Sequence, residues 1–135
     1  MPRVADHNRI GQHVFINHQT YDLFTDFADY SGLSPKDLAS MYIEEQKDIF
    51  ENIGFEDLAR LHILPRRVFP GYTDLRPRSA RLYYRILRPT LDLFEQHAQR
   101  IGVDRPWIAR VAIMNGLALE MESEKYVPEP LSIDG

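Results

Sequence analysis

Thr20-Tyr21-Asp22-Leu23-Phe24 returns as Thr90-Leu91-Asp92-Leu93-Phe94, and the offset of 70 positions then runs on without insertion or deletion for about two dozen residues. Ile16/Ile86, Ala28/Ala98, Gly32/Gly102, Ala39/Ala109 and Ile43/Ile113 are identical at the same offset. Two unrelated amphipathic helices share apolar positions easily, but they rarely share the threonine and glycine punctuation as well. A unit of about 35 residues buries too little surface to fold alone, whereas a pair can share one core. The chain therefore reads as one fold unit used twice.

Each copy has the same local pattern. A short alternating segment comes first, His13-Val14-Phe15-Ile16-Asn17 in one copy and Arg81-Leu82-Tyr83-Tyr84-Arg85-Ile86-Leu87 in the other, and both predict strands. Thr20 and Thr90 are the expected N-caps of a first helix, with Asp22 and Asp92 in a first turn where negative charge suits the helix dipole. Leu23, Phe24, Phe27, Ala28 and Tyr30 form its apolar stripe, matched by Leu93, Phe94, His97, Ala98 and Ile101. Gly32 and Gly102 are expected to end these helices in the left-handed conformation.

A second helix is expected after a turn of about two residues. Ser34-Pro35-Lys36-Asp37 supplies an N-cap serine, a proline at the first helical position and an acid two further on. Leu38, Met41, Tyr42, Ile49 and Phe50 continue its apolar face. In the other copy the start is Asp104-Arg105-Pro106-Trp107, with Ile108, Val111, Ala112 and Leu119 as buried candidates. Gly116 inside this helix costs about 1 kcal/mol relative to alanine, which predicts a close approach by another part of the chain.

These patterns divide the chain into a flexible arm over 1–11, a first repeat over 12–53, a linker over 54–80, a second repeat over 81–122 and a tail over 123–135, with both repeats in one domain. Gly54, Pro65, Pro70-Gly71 and Pro77 prevent the linker from being one long helix, and Phe55-Glu56-Asp57-Leu58-Ala59-Arg60-Leu61 is its one expected helical piece. From Tyr126 onward, two prolines and few core formers predict a frayed end.

There are no cysteines, which excludes disulfides, thiolate metal sites and a cysteine nucleophile, and makes a cytoplasmic location the expectation. No long apolar run predicts a membrane span, and the N-terminal residues lack the apolar core of a signal peptide. The net charge of −4 is unevenly spread. Residues 1–59 carry four Lys/Arg against eleven Asp/Glu, and residues 89–135 carry four against eight. Residues 60–88 carry eight arginines, no lysine and only Asp74. Arginine suits bidentate contact with phosphate or guanine, so this block is the candidate anion-facing surface; the alternative is pairing with the acidic helices of the same chain.

Strand, helix, glycine-containing turn and helix is the layout of the ribbon-helix-helix fold. Arg85-Ile86, Leu91-Asp92-Leu93 and Gly102 fall at the spacings that Arc-type repressors use for the end of the ribbon, the first helix and the turn. The chain resembles this family over residues 12–50 and 82–120, and in particular its tandem members among the accessory proteins of conjugative DNA transfer. The resemblance implies a mostly α fold with a short two-stranded antiparallel ribbon, formed by tandem ribbon-helix-helix repeats paired as an intrachain pseudo-dimer. It also implies sequence-specific binding of double-stranded DNA by the ribbon in the major groove, for transcription regulation or conjugation.

With Leu82, Tyr84 and Ile86 toward the helices, Arg81, Tyr83 and Arg85 would face base edges, and Gly11, His13 and Phe15 would be their counterparts. Phe15 departs from a polar pattern: it contacts a thymine methyl, belongs to a strand turned over, or meets a protein partner. The family anchors phosphate at the N-terminus of the second helix, a role implied for Ser34 and Lys36 and for Arg105, although Asp104 would repel phosphate there. Arg78, Arg66 and Arg67 of the basic block are further phosphate-contact candidates. Unlike outward faces predict an asymmetric site.

No enzyme signature is present. His7, His13, His18, His62 and His97 lack zinc spacing, and there is no glycine-rich phosphate loop, so neither a metal, a cofactor nor a small-molecule substrate is expected. Glu44, Glu45 and Asp48 read as a solvated helix face, and His97 as a buried histidine with its hydrogen bonds satisfied. Tyr83-Tyr84 and Trp107 are aromatics for packing or base stacking. The rival expectation is a protein-interaction module, by partner binding or self-association, that keeps the scaffold without DNA binding.

Overall fold

A computed structural model of the chain describes residues 9–54, 57, 60–61, 63–68 and 78–126, with the backbone alone at 63 and 66. In chain order these form β1 (Arg9–Ile16), α1 (His18–Ser31), α2 (Pro35–Gln46), α3 (Ile63–Val68), β2 (Ala80–Leu87), α4 (Arg88–Ile101) and α5 (Arg105–Ser123). The fold is mostly helical around one two-stranded sheet. The helices α4 and α5 begin 70 positions after α1 and α2.

The strands pair antiparallel, from Arg9 opposite Leu87 to Ile16 opposite Ala80, with His13 opposite Tyr83 in the middle. Alternation sends Val14, Ile16, Leu82, Tyr84 and Ile86 into the core. A lone two-stranded ribbon is marginal in water, so the helices packed on its inner face are what hold it. The strand β1 starts earlier than expected, because Ile10 continues the alternation and pairs with Ile86; Arg9 to Gly11 therefore belong to the sheet and not to a flexible arm. Phe15 points outward, which rules out the turned-over strand.

Gly32 and Gly102 close α1 and α4 at φ 76° and 88°, the left-handed conformation expected of them. Neither threonine is an N-cap. Thr20 and Thr90 lie inside the first turns, and Asn17 Oδ1 caps α1 by accepting from the Thr20 N–H at 2.7 Å. At the start of α4, Leu87 has no capping side chain of its own. Glu44 of α2 supplies the acceptor instead: Oε2 takes the Leu87 N–H at 2.9 Å and Oε1 takes the Thr90 hydroxyl hydrogen at 2.6 Å. Glu44 is thus a partly buried tertiary cap, not part of a solvated face, whereas Glu45 and Asp48 are exposed.

The second helices have the expected caps. Ser34 Oγ accepts from Asp37 N–H at 3.1 Å, and Asp104 Oδ1 accepts from Trp107 N–H at 2.8 Å. Every residue of α5 from Val111 to Ala118 is buried, as in a helix enclosed on all sides. Here α2 crosses α5. A Cβ added at Gly116 would lie 2.8 Å from Tyr42 Cβ and Cγ, so the close approach expected at Gly116 is made by the root of an aromatic ring. The Tyr42 hydroxyl donates to Glu120 Oε1 at 2.9 Å, and burial, reinforced by that carboxylate, pushes the phenol well above its ordinary range.

Four side-chain expectations fail. Leu119, Ile49 and Tyr30 are exposed, because α5 emerges from the core after Ala118, α2 ends at Gln46, and Tyr30 sits at the outer end of α1. His97 is buried, but its Nε2 has no partner among the described residues. Burial, helped by Arg100, holds its pKa below the usual histidine value. Arg100 also donates to the carbonyls of Phe50 and Ile53, closing the turn after α2 and seating Phe50 against Phe94.

Within the linker, Phe55, Glu56, Leu58 and Ala59 lie outside the described residues. The short helix α3 forms later, across Pro65, which occupies the first turn where its missing N–H is no loss. Tyr126 is not frayed: its N–H donates to Met121 O at 2.8 Å and its ring meets Phe27 and Tyr30 at centroid distances of 5.0 Å. Residues 127–135 of the expected tail, like 1–8 of the arm, lie outside the described residues.

Candidate nucleic-acid interface on the ribbon

With every second residue committed to the core, the outward face of the ribbon carries Gly11, His13 and Phe15 from β1 and Arg81, Tyr83 and Arg85 from β2. Gly11 stands opposite Arg85, His13 opposite Tyr83, and Phe15 opposite Arg81. One end of the face is filled. The Arg81 guanidinium carbon sits 5.4 Å from the Phe15 ring centroid and 5.8 Å from that of Tyr83, and Arg81 Nη1 donates to the Tyr83 hydroxyl at 2.9 Å. His13 meets Phe15 and Tyr83 edge-on at 5.3 and 6.0 Å. The other end is open, since a Cβ at Gly11 would meet nothing within 4 Å.

Both outer edges of the ribbon are held by the second helices. Ser40 of α2 donates to Lys36 O at 2.7 Å, which leaves its oxygen to accept the Arg85 N–H at 2.8 Å. On the opposite edge, Arg110 Nε of α5 donates to Phe15 O at 3.1 Å. Residues 40 and 110 are 70 apart, and they reach the ribbon with opposite hydrogen-bond polarity. These bonds occupy one edge group on each strand that would otherwise be open to another chain.

The α2 N-terminus runs beside β2. Lys36 is exposed there, between a recess of about 320 Å³ lined by Gly11, His13, Tyr83 and Arg85 and another of about 380 Å³ lined by Ser34, Arg81 and Tyr83. The α5 N-terminus, beside β1, differs. Arg105 donates to Glu95 Oε1 at 2.6 Å and to Gln12 Oε1 at 2.9 Å, so its guanidinium is engaged within the protein, and Asp104 places a carboxylate at the cap. The same Arg105 draws the Tyr84 phenol down, but burial prevails and its pKa is pushed up to about 12.

Among the described residues, the arginines of the basic block do not share one surface. Arg78 is half-buried immediately before β2. Arg67 forms an ion pair with Glu122 of α5, about 18 Å along that helix from Arg110 and therefore well away from the ribbon. Arg66 lies on the backbone of α3, and its side chain is outside the described residues. Of the block's arginines, Arg67 thus pairs with an acidic helix of the same chain, while Arg60 pairs locally with Asp57 at 3.6 Å. Trp107 packs against the core and Tyr84 is buried, leaving Tyr83 as the ring that faces outward.

Arg9 was missed in the sequence. Its Nη1 donates to Arg85 O at 3.2 Å, at the open end of the face, and extending the strand alternation back through Ile10 would have found it. Among the described residues, no group of three His, Asp or Glu side chains could hold a metal ion, and no helix is long and apolar enough to cross a membrane. No known protein family, curated protein or solved structure matches the chain.

Proposed function

We propose that the chain is a tandem ribbon-helix-helix protein, an intrachain pseudo-dimer that binds double-stranded DNA with its ribbon in the major groove, as a transcriptional repressor or an accessory of conjugative DNA transfer. The observation that carries this reading is the strand register. Residues 70 apart are repeat-equivalents, and His13 opposite Tyr83 is the pair at which an equivalent residue is also the strand partner. On this reading a local two-fold axis through that pair would exchange α1 with α4 and α2 with α5, the arrangement that two separate chains adopt in the family. The ribbon then presents a solvated face with Arg81 and Arg85, flanked by Lys36, of a width that a major groove admits.

The exposure of Phe15 at 37% and Tyr83 at 51% favours a second reading, a protein-interaction surface on the same face. Fluorescence anisotropy of a labelled generic duplex at about 50 and 200 mM salt separates the two, because phosphate contacts make affinity fall steeply with salt. Salt-sensitive binding that Arg81→Ala/Arg85→Ala weakens is the expected result. Folded wild type that fails to bind at the lower salt overturns the DNA reading and leaves the protein-partner one.

A further inference from the structure

The two ends of the ribbon face are built from different chemistry. Rotation about the His13/Tyr83 axis would carry Gly11 onto Arg81 and Phe15 onto Arg85, so both arginines come from β2 while β1 offers no side chain at one end and an apolar ring at the other. At the open end, Arg85 faces Gly11, and its exposed side chain lines a recess together with Lys36. At the filled end, Arg81 is held against Phe15 and hydrogen-bonded to Tyr83, and Phe15 remains partly exposed beside it. Four residues separate Arg81 from Arg85, about 13 Å along the strand, far enough for the two ends to address different base pairs.

We infer that the ribbon reads a non-palindromic duplex in one fixed orientation, with Arg85 hydrogen-bonding a guanine at the Gly11 end and Phe15 contacting a thymine 5-methyl group at the other. The inference rests on the DNA-binding reading above. Guanine offers N7 and O6 as paired acceptors to an arginine fork, and thymine is the base whose major-groove edge carries a methyl group. The Arg81 guanidinium, bound to Tyr83 and packed on Phe15, braces that ring, while Arg85 lines the recess at the Gly11 end.

The test enriches duplexes bound by wild type from a random library and then replaces single bases in the recovered duplex. Guanine to 7-deazaguanine at one end is expected to weaken wild-type binding by about tenfold. Arg85→Ala, already weakened, should be indifferent to that replacement. Thymine to uracil at the opposite end should weaken wild type several-fold and leave Phe15→Ala indifferent. Circular dichroism establishes that both variants, altered only at exposed side chains, remain folded. Recovery of an inverted repeat, or variants that lose discrimination equally at both ends, overturns the inference. So does salt-sensitive binding from which no sequence is enriched, although DNA binding itself would then stand. Absence of any binding by folded wild type would instead remove the function on which the inference rests.

Discussion

Glu44 on α2 accepts the hydroxyl hydrogen of Thr90 on α4 at 2.6 Å, and the same carboxylate takes the Leu87 N–H. The residue 70 positions after Glu44 is Met114, which is buried and offers no carboxylate. Thr20, which repeats Thr90, accordingly has an Oγ1 without a partner among the described residues. At the start of α1 the cap is Asn17 instead. Thr90→Val should therefore destabilise by about 1 kcal/mol while Thr20→Val is neutral or stabilising, because the valine there removes an unsatisfied hydroxyl. Chemical denaturation of both variants, with a Glu44/Thr90 double-mutant cycle, checks the contrast; equal effects would mean that Glu44 does not cap α4.

Gly116→Ala sets two effects against each other. Alanine gains about 1 kcal/mol of helix propensity, but its Cβ meets Tyr42 at atoms fixed to the backbone of α2, which cannot swing aside. Overpacking of this kind costs about 1 to 3 kcal/mol, so the net change should be destabilising. A raised melting temperature would mean that α2 and α5 lie further apart than described.

His97 gives stability a pH dependence of definite sign. Its pKa is depressed in the folded protein, so the unfolded chain takes up the proton first, and stability is lost as pH falls below about 6.5 toward the lower folded value. Partial desolvation, with the Glu120 carboxylate nearby, raises the carboxyl pKa of the largely exposed Glu45, which acts in the opposite sense toward acid pH, so the comparison must be made at constant Glu45. His97→Phe, which copies Phe27 in the first repeat, should flatten the decline measured between about pH 7 and pH 5. An unchanged slope would exonerate His97.

Asp104→Asn keeps a good N-cap while removing the negative charge from the α5 N-terminus. If duplex backbone passes there as the proposed function requires, affinity should rise several-fold at about 50 mM salt, with a smaller gain at 200 mM. Anisotropy titrations at both salts read this directly. Unchanged affinity would place the backbone elsewhere on the α5 side.

Truncations in the ribbon should separate readout from folding. Ile86→Ala removes a fully buried side chain and should cost about 2 to 5 kcal/mol of stability. Arg81→Ala/Arg85→Ala, confined to the outward face, should leave the melting temperature nearly unchanged. A cooperative unfolding transition shifted equally by both would show that the outward arginines are structural.

What the sequence by itself determined is what repeats locally. Alternation at Leu82, Tyr84 and Ile86 chose the buried face of β2, Gly32 and Gly102 ended two helices, and Ser34 and Asp104 capped two more, because each of these depends on residues within a turn or on a period of two. The missed features are partnerships between distant segments. Glu44 and Glu45 are neighbouring acids on α2, and only the meeting of α2 with the start of α4 makes one a cap and leaves the other in water. Arg105 and Arg67 read as free cations until folding brings Glu95, Gln12 and Glu122 beside them. Tyr126 looks like tail until α1 offers Phe27 and Tyr30. Local pattern selects which elements form; which charged groups remain available to a partner depends on surfaces that touch only after the chain has closed on itself.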